Sequence, residues 1–196
     1  MRVGLFGGSF DPIHRGHIEP VERVLQELDL ERVYYLPTAQ PPHKSDRRFA
    51  PALARYAMVE IALLAEPRLM VSTAELTPER RAYTVDTVES YRRRFSGDDL
   101  FLIVGADAFN ELDTWRRWQD LVELVTLVVL ERAGVRVDME LLRERSGSAR
   151  VVRFDNPPLD VSSTELRARL RAGRSLPADA IPAAVLDYIR KYSLYR

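Results

Sequence analysis

Strand-like apolar runs alternate with helix-like segments along almost the whole chain of 196 residues, and this alternation most constrains the fold. The runs carry little polar alternation, DLFLIVG least of all, which is typical of strands covered on both faces. Strands that alternate with helices favour parallel pairing through crossover connections. The sequence therefore predicts a single-domain, doubly wound, Rossmann-like α/β fold, with a mostly parallel sheet and helices on both faces.

The pattern predicts six strands and six helices. The strands are expected at VGLFG, RVYYLP, RLMVST, DLFLIVG, LVTLVVLER and ARVVRF. The helices are expected at Ile18–Leu28, ALARYAMVEIALLA, TVDTVESYRRRF, Met139–Glu144, Ser163–Ala172 and Ala183–Tyr192. We expect one domain over residues 1–196, with a C-terminal helical portion from about 162 to 196 packed on it. The proline-rich stretch PTAQPPHKSDRRFAP predicts a long loop, and loops of that length are often functional.

Composition excludes several classes of function. The chain has no cysteine, so it has no disulfide, thiolate metal site or cysteine nucleophile. Its formal net charge is +0, which gives no reason to expect a nucleic-acid partner. The N-terminus lacks the features of a signal peptide, and no apolar run approaches the ~18 residues of a membrane helix. We therefore expect a soluble, cytoplasmic protein with no membrane partner, while its oligomeric state is not predicted.

Two of the three histidines of the chain lie in one short stretch, GLFGGSFDPIHRGH. Gly7 and Gly8 follow the first strand and would let the backbone pass close to a ligand. His14 and His17 come at the start of the next helix, where unpaired backbone N–H groups and the helix dipole favour an anion. Because ligands of doubly wound sheets bind at the carboxyl ends of the strands, this stretch predicts a phosphate site.

Three other interpretations of this stretch are possible. A dinucleotide-binding turn needs G-x-G-x-x-G and an acid after the second strand, and neither is present. A zinc site at His14 and His17 needs further ligands, for which only His43 and carboxylates are available. A purely structural turn with two surface histidines would suit this stretch alone, but it becomes less attractive once the other segments are considered.

Two motifs near opposite ends of the sequence carry a family resemblance. GGSFDPIHRGH resembles the H-x-G-H signature of the adenylyltransferases in the nucleotidyltransferase α/β superfamily, and VSSTELR resembles its second signature, I-S-S-T-x-x-R. The segments PPHK, AYT and VGADAFNELDTW, and the closing YIRKYSLYR, are similar to bacterial nicotinate-nucleotide adenylyltransferases. The resemblance covers the whole chain.

The resemblance implies transfer of the adenylyl group of ATP to the phosphate of nicotinate mononucleotide, giving nicotinic acid adenine dinucleotide and pyrophosphate in NAD biosynthesis. A phosphate monoester has its second pKa near ~6, so it is already an anionic nucleophile at neutral pH. Such an enzyme needs positioning and cations around the transferred phosphate rather than a covalent intermediate. Mg²⁺ is expected as the counter-ion of ATP, and no protein ligand for a metal can be named.

By the same resemblance, several residues bind ATP. Gly8, Ser9 and Phe10 would line its site through backbone groups beside Gly7, and His14 and His17 would contact its phosphates. We expect His17 to be the most sensitive single position. Gly105 would permit close approach, and Asp107 would accept hydrogen bonds from ribose hydroxyls, although Asp107 is also a plausible helix cap.

The second motif also makes sense from its residues. Ser162 and Glu165 fit a capping box, which predicts a helix N-terminus. Ser163 and Thr164 would add hydroxyl and N–H donors, and Arg167 would reach the β- and γ-phosphates as a third catalytic residue beside the histidines. Taken alone, the segment fits a well-capped helix with a surface arginine, and the first motif shifts the balance toward phosphate binding.

The resemblance assigns a second set of residues to nicotinate mononucleotide. Trp115 would stack on the nicotinate ring, although it or Trp118 could equally be a core residue. Arg116 replaces an aromatic residue common in the family, and its guanidinium would favour the acid. The remaining residues are Tyr83 and Thr84, which would line the same pocket, and His43 and Lys44, which would bind the mononucleotide phosphate unless PPHKSDRR is only a solvated loop.

Alternative functions stay open at this point. Nicotinamide mononucleotide or phosphopantetheine could be the phosphorylated acceptor, and the tryptophan does not separate the acid from the amide. A nucleotide-sensing module would bind ATP or NAD without turnover, but it would not need cations around a leaving pyrophosphate. A protein similar to class I aminoacyl-tRNA synthetases would need a tRNA-binding extension, for which 196 residues leave no room.

Overall fold

A computed structural model describes residues 1–39, 49–76, 82–131, 137, 150–156 and 159–196. Within these residues, six strands form one sheet in the order β3-β2-β1-β4-β5-β6, and every neighbouring pair is parallel. The strands are β1 (Arg2–Gly8), β2 (Arg32–Pro37), β3 (Leu69–Val71), β4 (Asp99–Gly105), β5 (Thr126–Leu130) and β6 (Arg150–Phe154). The predicted doubly wound parallel α/β fold is confirmed.

Seven α-helices are described. They are α1 (Arg15–Glu27), α2 (Ala52–Leu63), α3 (Thr84–Arg94), α4 (Ala106–Asn110), α5 (Trp118–Leu124), α6 (Ser163–Arg171) and α7 (Ala183–Lys191), with a 3₁₀ turn at Leu112–Thr114. The sequence analysis missed α4, α5 and the 3₁₀ turn. These elements are too short to display a helical period, and neither α4 nor α5 has a side-chain N-cap hydrogen bond. The helix predicted at Met139–Glu144 lies outside the described residues.

β1 lies at the centre of the sheet, where the strand order reverses. It pairs with β2 on one side, with Gly8 opposite Pro37, and with β4 on the other, with Phe6 opposite Ile103. The connections from β1 therefore run in opposite directions along the sheet, and this divergence opens the carboxyl edge beside Gly8 to a ligand. The residues that follow β1, β2 and β4 all emerge at this edge.

Two apolar layers cover the sheet. The first contains Phe6 and Phe10 of the β1 region together with side chains of α1, α2, α6 and α7, such as Val21, Met58 and Val185. The second contains the opposite faces of the same strands, with side chains of α3, α4 and α5. Val3 and Leu5 of β1 enter the second layer and Phe6 enters the first, which is why the strand carries no polar alternation after Arg2. In the described part of the chain, no helix is both long and apolar enough to span a membrane, and the cytoplasmic location stays a prediction.

Candidate active site at the carboxyl edge of the sheet

The turn after β1 is shaped by a buried aromatic ring. Phe10 has a positive φ of 46° and its side chain is buried in the first apolar layer. A Cβ at Gly8 would come within 2.8 Å of the Phe10 ring, so glycine is required there by close packing. A Cβ at Gly7 would meet nothing within 4 Å, and this half of the turn faces open space.

His14 begins α1 as its N-cap residue. Its Nδ1 accepts a hydrogen bond from the Gly16 amide at 3.1 Å, so in the neutral ring Nε2 carries the proton and can act as a donor. The rings of His14 and His17 lie 3.8 Å apart between centroids. His14 is only 2% exposed, whereas His17 is half-buried and therefore the more accessible of the two.

The expectation of unpaired N–H groups at the start of α1 is wrong for its first three residues. The Arg15 amide donates to the Ala180 carbonyl, the Gly16 amide to His14 Nδ1, and the His17 amide to the His14 carbonyl. The acceptors for these three amides include the His14 side chain and the Ala180 carbonyl in a distant loop. Helical periodicity in the sequence reveals neither of these acceptors. Imidazole groups and the helix dipole remain as the features of α1 that favour an anion.

Contacts from two sides hold His17. The Tyr35 hydroxyl donates to the His17 carbonyl at 3.0 Å, and the His17 ring lies edge-on to Phe10 at 5.2 Å between centroids. Burial raises the pKa of the Tyr35 hydroxyl well above its ordinary value, so it stays protonated and able to donate. The backbone of His17 is thus held by β2, and its imidazole packs against the turn after β1.

The second motif packs directly on the first. Ser162 caps α6 by accepting from the Glu165 amide at 3.2 Å, as the sequence predicts, while the Glu165 carboxylate accepts from Arg169. The Ser163 hydroxyl donates to the Pro12 carbonyl at 3.2 Å. The N-terminus of α6 therefore lies against the turn between β1 and α1.

Arg167 is buried at this junction. Its Nη1 donates to the Asp11 carbonyl at 2.6 Å, and its Nη2 donates to the Thr164 hydroxyl at 3.2 Å. The guanidinium therefore joins the two motifs and carries a positive charge next to the turn that precedes His14.

Asp11 is a site residue that the sequence analysis missed. Its side chain is 1% exposed, and its Oδ1 accepts from the Ala50 amide at 3.1 Å and from the Tyr195 hydroxyl at 2.7 Å. Its Oδ2 lies 3.7 Å from Arg167 Nη1. No local signal could have revealed these partners, because they come from three distant parts of the chain.

Arg55 was missed for the same reason. This guanidinium, in α2, is 1% exposed and its Nε and Nη atoms all donate to backbone carbonyls. The acceptors are Ala50 at 3.0 Å, Ser9 at 2.7 Å, Thr38 at 2.8 Å and Ala39 at 3.2 Å. Burial lowers the Arg55 pKa, and the charge of nearby Asp11 opposes that change. Arg55 thus joins the chain leaving β1 to the chain leaving β2.

Gly105 ends β4 at the same edge, and Asp107 follows it. Asp107 lies in the first turn of α4 and is exposed, while Gly105 is the N-cap residue. A Cβ at Gly105 would come within 2.6 Å of Asp107 Oδ1, so the carboxylate folds back over the backbone where β4 ends. Glycine at this position is what gives the carboxylate that space.

Two of the residues predicted to bind the mononucleotide lie at the start of α3, and a third, Arg116, contacts one of them. Tyr83 is the N-cap residue of α3 and Thr84 its first residue, and both are half-buried. The Arg116 guanidinium lies 4.5 Å from the Tyr83 ring centroid, while half-buried Trp115 and Tyr83 both pack against the second apolar layer. Arg117 adds a link by donating to Glu89 of α3 and Asp120 of α5.

A buried carboxyl group connects this region to the sheet. The Glu75 side chain accepts from the Thr87 hydroxyl of α3 at 2.9 Å, and its carbonyl accepts from the Ala39 amide. Burial raises the pKa of the Glu75 carboxyl, and the hydrogen bond from Thr87 offsets part of that rise. His43 and Lys44 lie outside the described residues. Among the residues that are described, no group of three or more histidine and carboxylate side chains could hold a metal ion.

The comparison with protein families matches residues 5–169 to the cytidylyltransferase-like family. The matched range begins in β1 and ends in α6, so it includes both motifs that meet at the carboxyl edge. The chain belongs to the cytidylyltransferase-like family.

Curated relatives narrow this assignment. A Thermus thermophilus protein named "Probable nicotinate-nucleotide adenylyltransferase" is 44% identical over 196 residues, which is 100% of each chain. A Pseudomonas aeruginosa protein of the same name is 40% identical and is matched over 97% of its length by 100% of this chain. These full-length relatives identify the chain as a member of the nicotinate-nucleotide adenylyltransferases.

The fold also matches that of solved structures. Nicotinic acid mononucleotide adenylyltransferase of Plasmodium falciparum, complexed with NaAD, superposes with a TM-score of 0.83 at 19% identity, over 99% of this chain and 97% of that one. The same enzyme complexed with APC gives a TM-score of 0.82 at 18% identity. At these identities the likeness supports the fold alone.

Proposed function

We propose that this chain transfers the adenylyl group of ATP to the phosphate of nicotinate mononucleotide, releasing pyrophosphate and forming nicotinic acid adenine dinucleotide. The observation that carries the proposal is the meeting of the two motifs at the switch point of the sheet, through Ser163–Pro12 and Arg167–Asp11. The names of the full-length relatives give the reaction and the acceptor.

The reaction needs few chemical groups. An oxygen of the mononucleotide phosphate attacks the α-phosphorus of ATP, a new P–O bond forms, and the bond from the α-phosphorus to the bridging oxygen breaks. The electron pair leaves with pyrophosphate. Because the attacking phosphate is already ionised near neutral pH, no general base is required. Catalysis then depends on alignment and on donors around the leaving group.

We define the phosphate side as residues 9–17 together with residues 162–167. Here His17 and His14 are the proposed donors to the phosphates of ATP, with His14 donating through Nε2. Arg167 contributes its positive charge at the junction of the motifs, although both of its Nη atoms are also committed to protein acceptors. Gly7, Gly8, Ser9 and Phe10 would provide the backbone beside the nucleotide, and Asp107 after Gly105 would accept from the ribose.

We define the acceptor side as Tyr83, Thr84, Trp115 and Arg116. Their proposed role is to bind the nicotinate ring and its carboxylate. The contact between Arg116 and Tyr83 supports this role, because it holds a guanidinium near the half-buried Trp115. A cation in that position favours the acid over the amide. His43 and Lys44 keep their predicted role with the mononucleotide phosphate.

Mg²⁺ is proposed to arrive with ATP and to be held chiefly by phosphate oxygens and water. The donor set fits this arrangement, since the phosphate side offers imidazole, hydroxyl and guanidinium donors together with carboxylates already bonded to the protein. Mg²⁺ would neutralise charge on the triphosphate. Removing Mg²⁺ with EDTA should stop turnover, and adding it back should restore it.

The proposal is tested by measuring pyrophosphate release from ATP and Mg²⁺ with a panel of phosphorylated acceptors. Nicotinate mononucleotide should give the highest kcat/KM, at least tenfold above nicotinamide mononucleotide. If kcat/KM for nicotinamide mononucleotide or phosphopantetheine equals or exceeds that for nicotinate mononucleotide, the proposed acceptor is wrong. The proposed adenylyl transfer would still stand. ATP binding without pyrophosphate release for any acceptor would instead favour a nucleotide-sensing module.

A further inference from the structure

We propose that Tyr195 is a positioning residue for ATP, acting through Asp11. The inference builds on the proposed function, because it concerns the same phosphate side. Its basis is the 2.7 Å hydrogen bond from the Tyr195 hydroxyl to Asp11 Oδ1, which joins residues 184 positions apart in the sequence. Neither residue belongs to the set of groups that contact phosphates.

Asp11 lies in the turn between β1 and α1, where it contacts the second motif. It lies between Phe10, which gives the turn its positive φ, and His14, which begins α1. Its backbone carbonyl accepts from Arg167 Nη1 at 2.6 Å, so the position of Asp11 also determines the position of the guanidinium. A shift of the Asp11 side chain would therefore move groups of both motifs together.

The Asp11 carboxylate has few hydrogen-bond donors, so the loss of one donor is not easily replaced. Oδ1 accepts from Tyr195 and from the Ala50 amide, while Oδ2 has no hydrogen bond among the described residues. A buried carboxylate needs such donors because burial without them is costly. Without the Tyr195 hydroxyl, the carboxylate would keep only the Ala50 amide as a hydrogen-bond donor, with Arg167 Nη1 lying 3.7 Å from Oδ2. Turning toward that oxygen would draw Arg167 away from the Asp11 carbonyl.

Tyr195 is itself well fixed as a donor. It is 9% exposed, belongs to the first apolar layer, and has a positive φ of 66°. Burial, together with the neighbouring Asp11 charge, raises its pKa, so the hydroxyl keeps its proton. Tyr192, three residues earlier, is 55% exposed and provides a matched control in the same segment.

The experiment compares Tyr195→Phe with Tyr192→Phe. Isothermal titration calorimetry with ATP and excess MgCl₂, and no acceptor, should give about a tenfold higher Kd for Tyr195→Phe. Tyr192→Phe should stay within twofold of the unchanged chain. A partly misfolded sample lowers the number of binding sites rather than raising Kd, so Kd reports on folded molecules. A Kd within twofold for Tyr195→Phe would overturn the inference, whatever happens to its Tm.

Asp11→Ala completes a double-mutant cycle, because alanine removes the acceptor of the Tyr195 hydroxyl, whereas asparagine would keep one. If Tyr195 acts through Asp11, the double variant should bind ATP no more weakly than the worse single variant. If the increases in Kd of the two single variants instead multiply in the double variant, the inference is overturned. Failure of the proposed function is distinguished by pyrophosphate release from the unchanged chain, since ATP binding without turnover would reject the reaction and still leave the effect of Tyr195 measured.

Discussion

Segments at least 151 residues apart in sequence hold the phosphate side together by hydrogen bonds to carbonyl and carboxylate oxygens, and its central residues are buried. The acceptor side is held instead by ring packing, by the Arg116–Tyr83 contact and by the ion pairs of Arg117, and most of its side chains are half-buried or exposed. The phosphate side is therefore held by directional hydrogen bonds, whereas the acceptor side is held mainly by side-chain packing and ion pairs near the surface.

This difference indicates how the two tasks are divided. Adenylyl transfer demands alignment to a fraction of an ångström, which buried, directional hydrogen bonds provide. Recognition of an acceptor depends on the shape and charge of side chains that can change without disturbing the sheet. We therefore expect substitutions on the phosphate side to reduce kcat for every acceptor, and those on the acceptor side to change KM and the order of acceptors.

The largest effect is expected for His17→Ala. Loss of the more accessible imidazole should lower kcat by about 10²–10³-fold, because a donor to developing charge is removed. Pyrophosphate release measures the loss, and the Tm should change little since the ring is half-buried. Glu19→Ala, an exposed change two residues along α1, is the control. A His17→Ala rate within threefold of the unchanged chain would remove His17 from the proposed mechanism.

Arg167→Met comes next and should affect stability as well as rate. The change leaves the Asp11 carbonyl without its donor and removes a buried positive charge, so we expect kcat to fall about tenfold to a hundredfold and Tm to drop by several degrees. Arg171→Met, at an exposed position of α6, should change neither. A lower Tm with an unchanged kcat would make Arg167 purely structural.

Trp115→Ala tests the acceptor side. Stacking of an aromatic ring on a base is worth about 1–3 kcal/mol, so KM for nicotinate mononucleotide should rise about tenfold while KM for ATP stays within twofold. Trp118→Ala is the matched control, because Trp118 packs against the same apolar layer. It should lower Tm without a selective change in KM. The reverse pattern would assign the stacking role to Trp118.

Glu75→Gln should give the smallest effect, on stability. Burial raises the Glu75 pKa in the folded chain, so its contribution to stability is greatest below the unfolded pKa of about 4.3 and is lost as pH rises through the folded pKa. Glutamine does not ionise, so Glu75→Gln avoids this loss of stability at high pH. Its side-chain oxygen can still accept from the Thr87 hydroxyl. Tm of Glu75→Gln should exceed that of the unchanged chain at pH 8, and the gap should close in acid.

Exposed Glu60 provides the control for this measurement. Glu60→Gln should leave the dependence of Tm on pH unchanged. If Glu75→Gln also leaves it unchanged, ionisation of Glu75 does not contribute to stability in this range.

The fold could be predicted because its signals are local. The apolar runs of β1, β2 and β4 are long enough to indicate buried strands, and the helical period is clear in α1 and α3. Ser162 with Glu165 located the start of α6 correctly because a cap is a short-range motif. The short helices α4 and α5 lack both period and cap, which is why they were missed.

The contacts that assemble the site could not be predicted in the same way. His14 and Arg167 were found because the motifs assign them a chemical role, whereas Asp11 and Tyr195 lie in recognised segments that assign them none, and Arg55 lies in no motif. Arg55 resembles an ordinary helix arginine until the fold buries it among four carbonyl groups. A side chain whose role depends on distant backbone atoms is identified only in three dimensions.

The 184 residues that separate Asp11 from Tyr195 have a consequence for the order in which the molecule is made. The turn after β1 leaves the ribosome early, while two of the groups that hold it, Arg167 and Tyr195, follow only with α6 and the segment after α7. Pairing of β1 with β2 can begin long before those groups exist. A nascent chain therefore acquires its sheet before its competence to bind a triphosphate, and the two events should be separable in time.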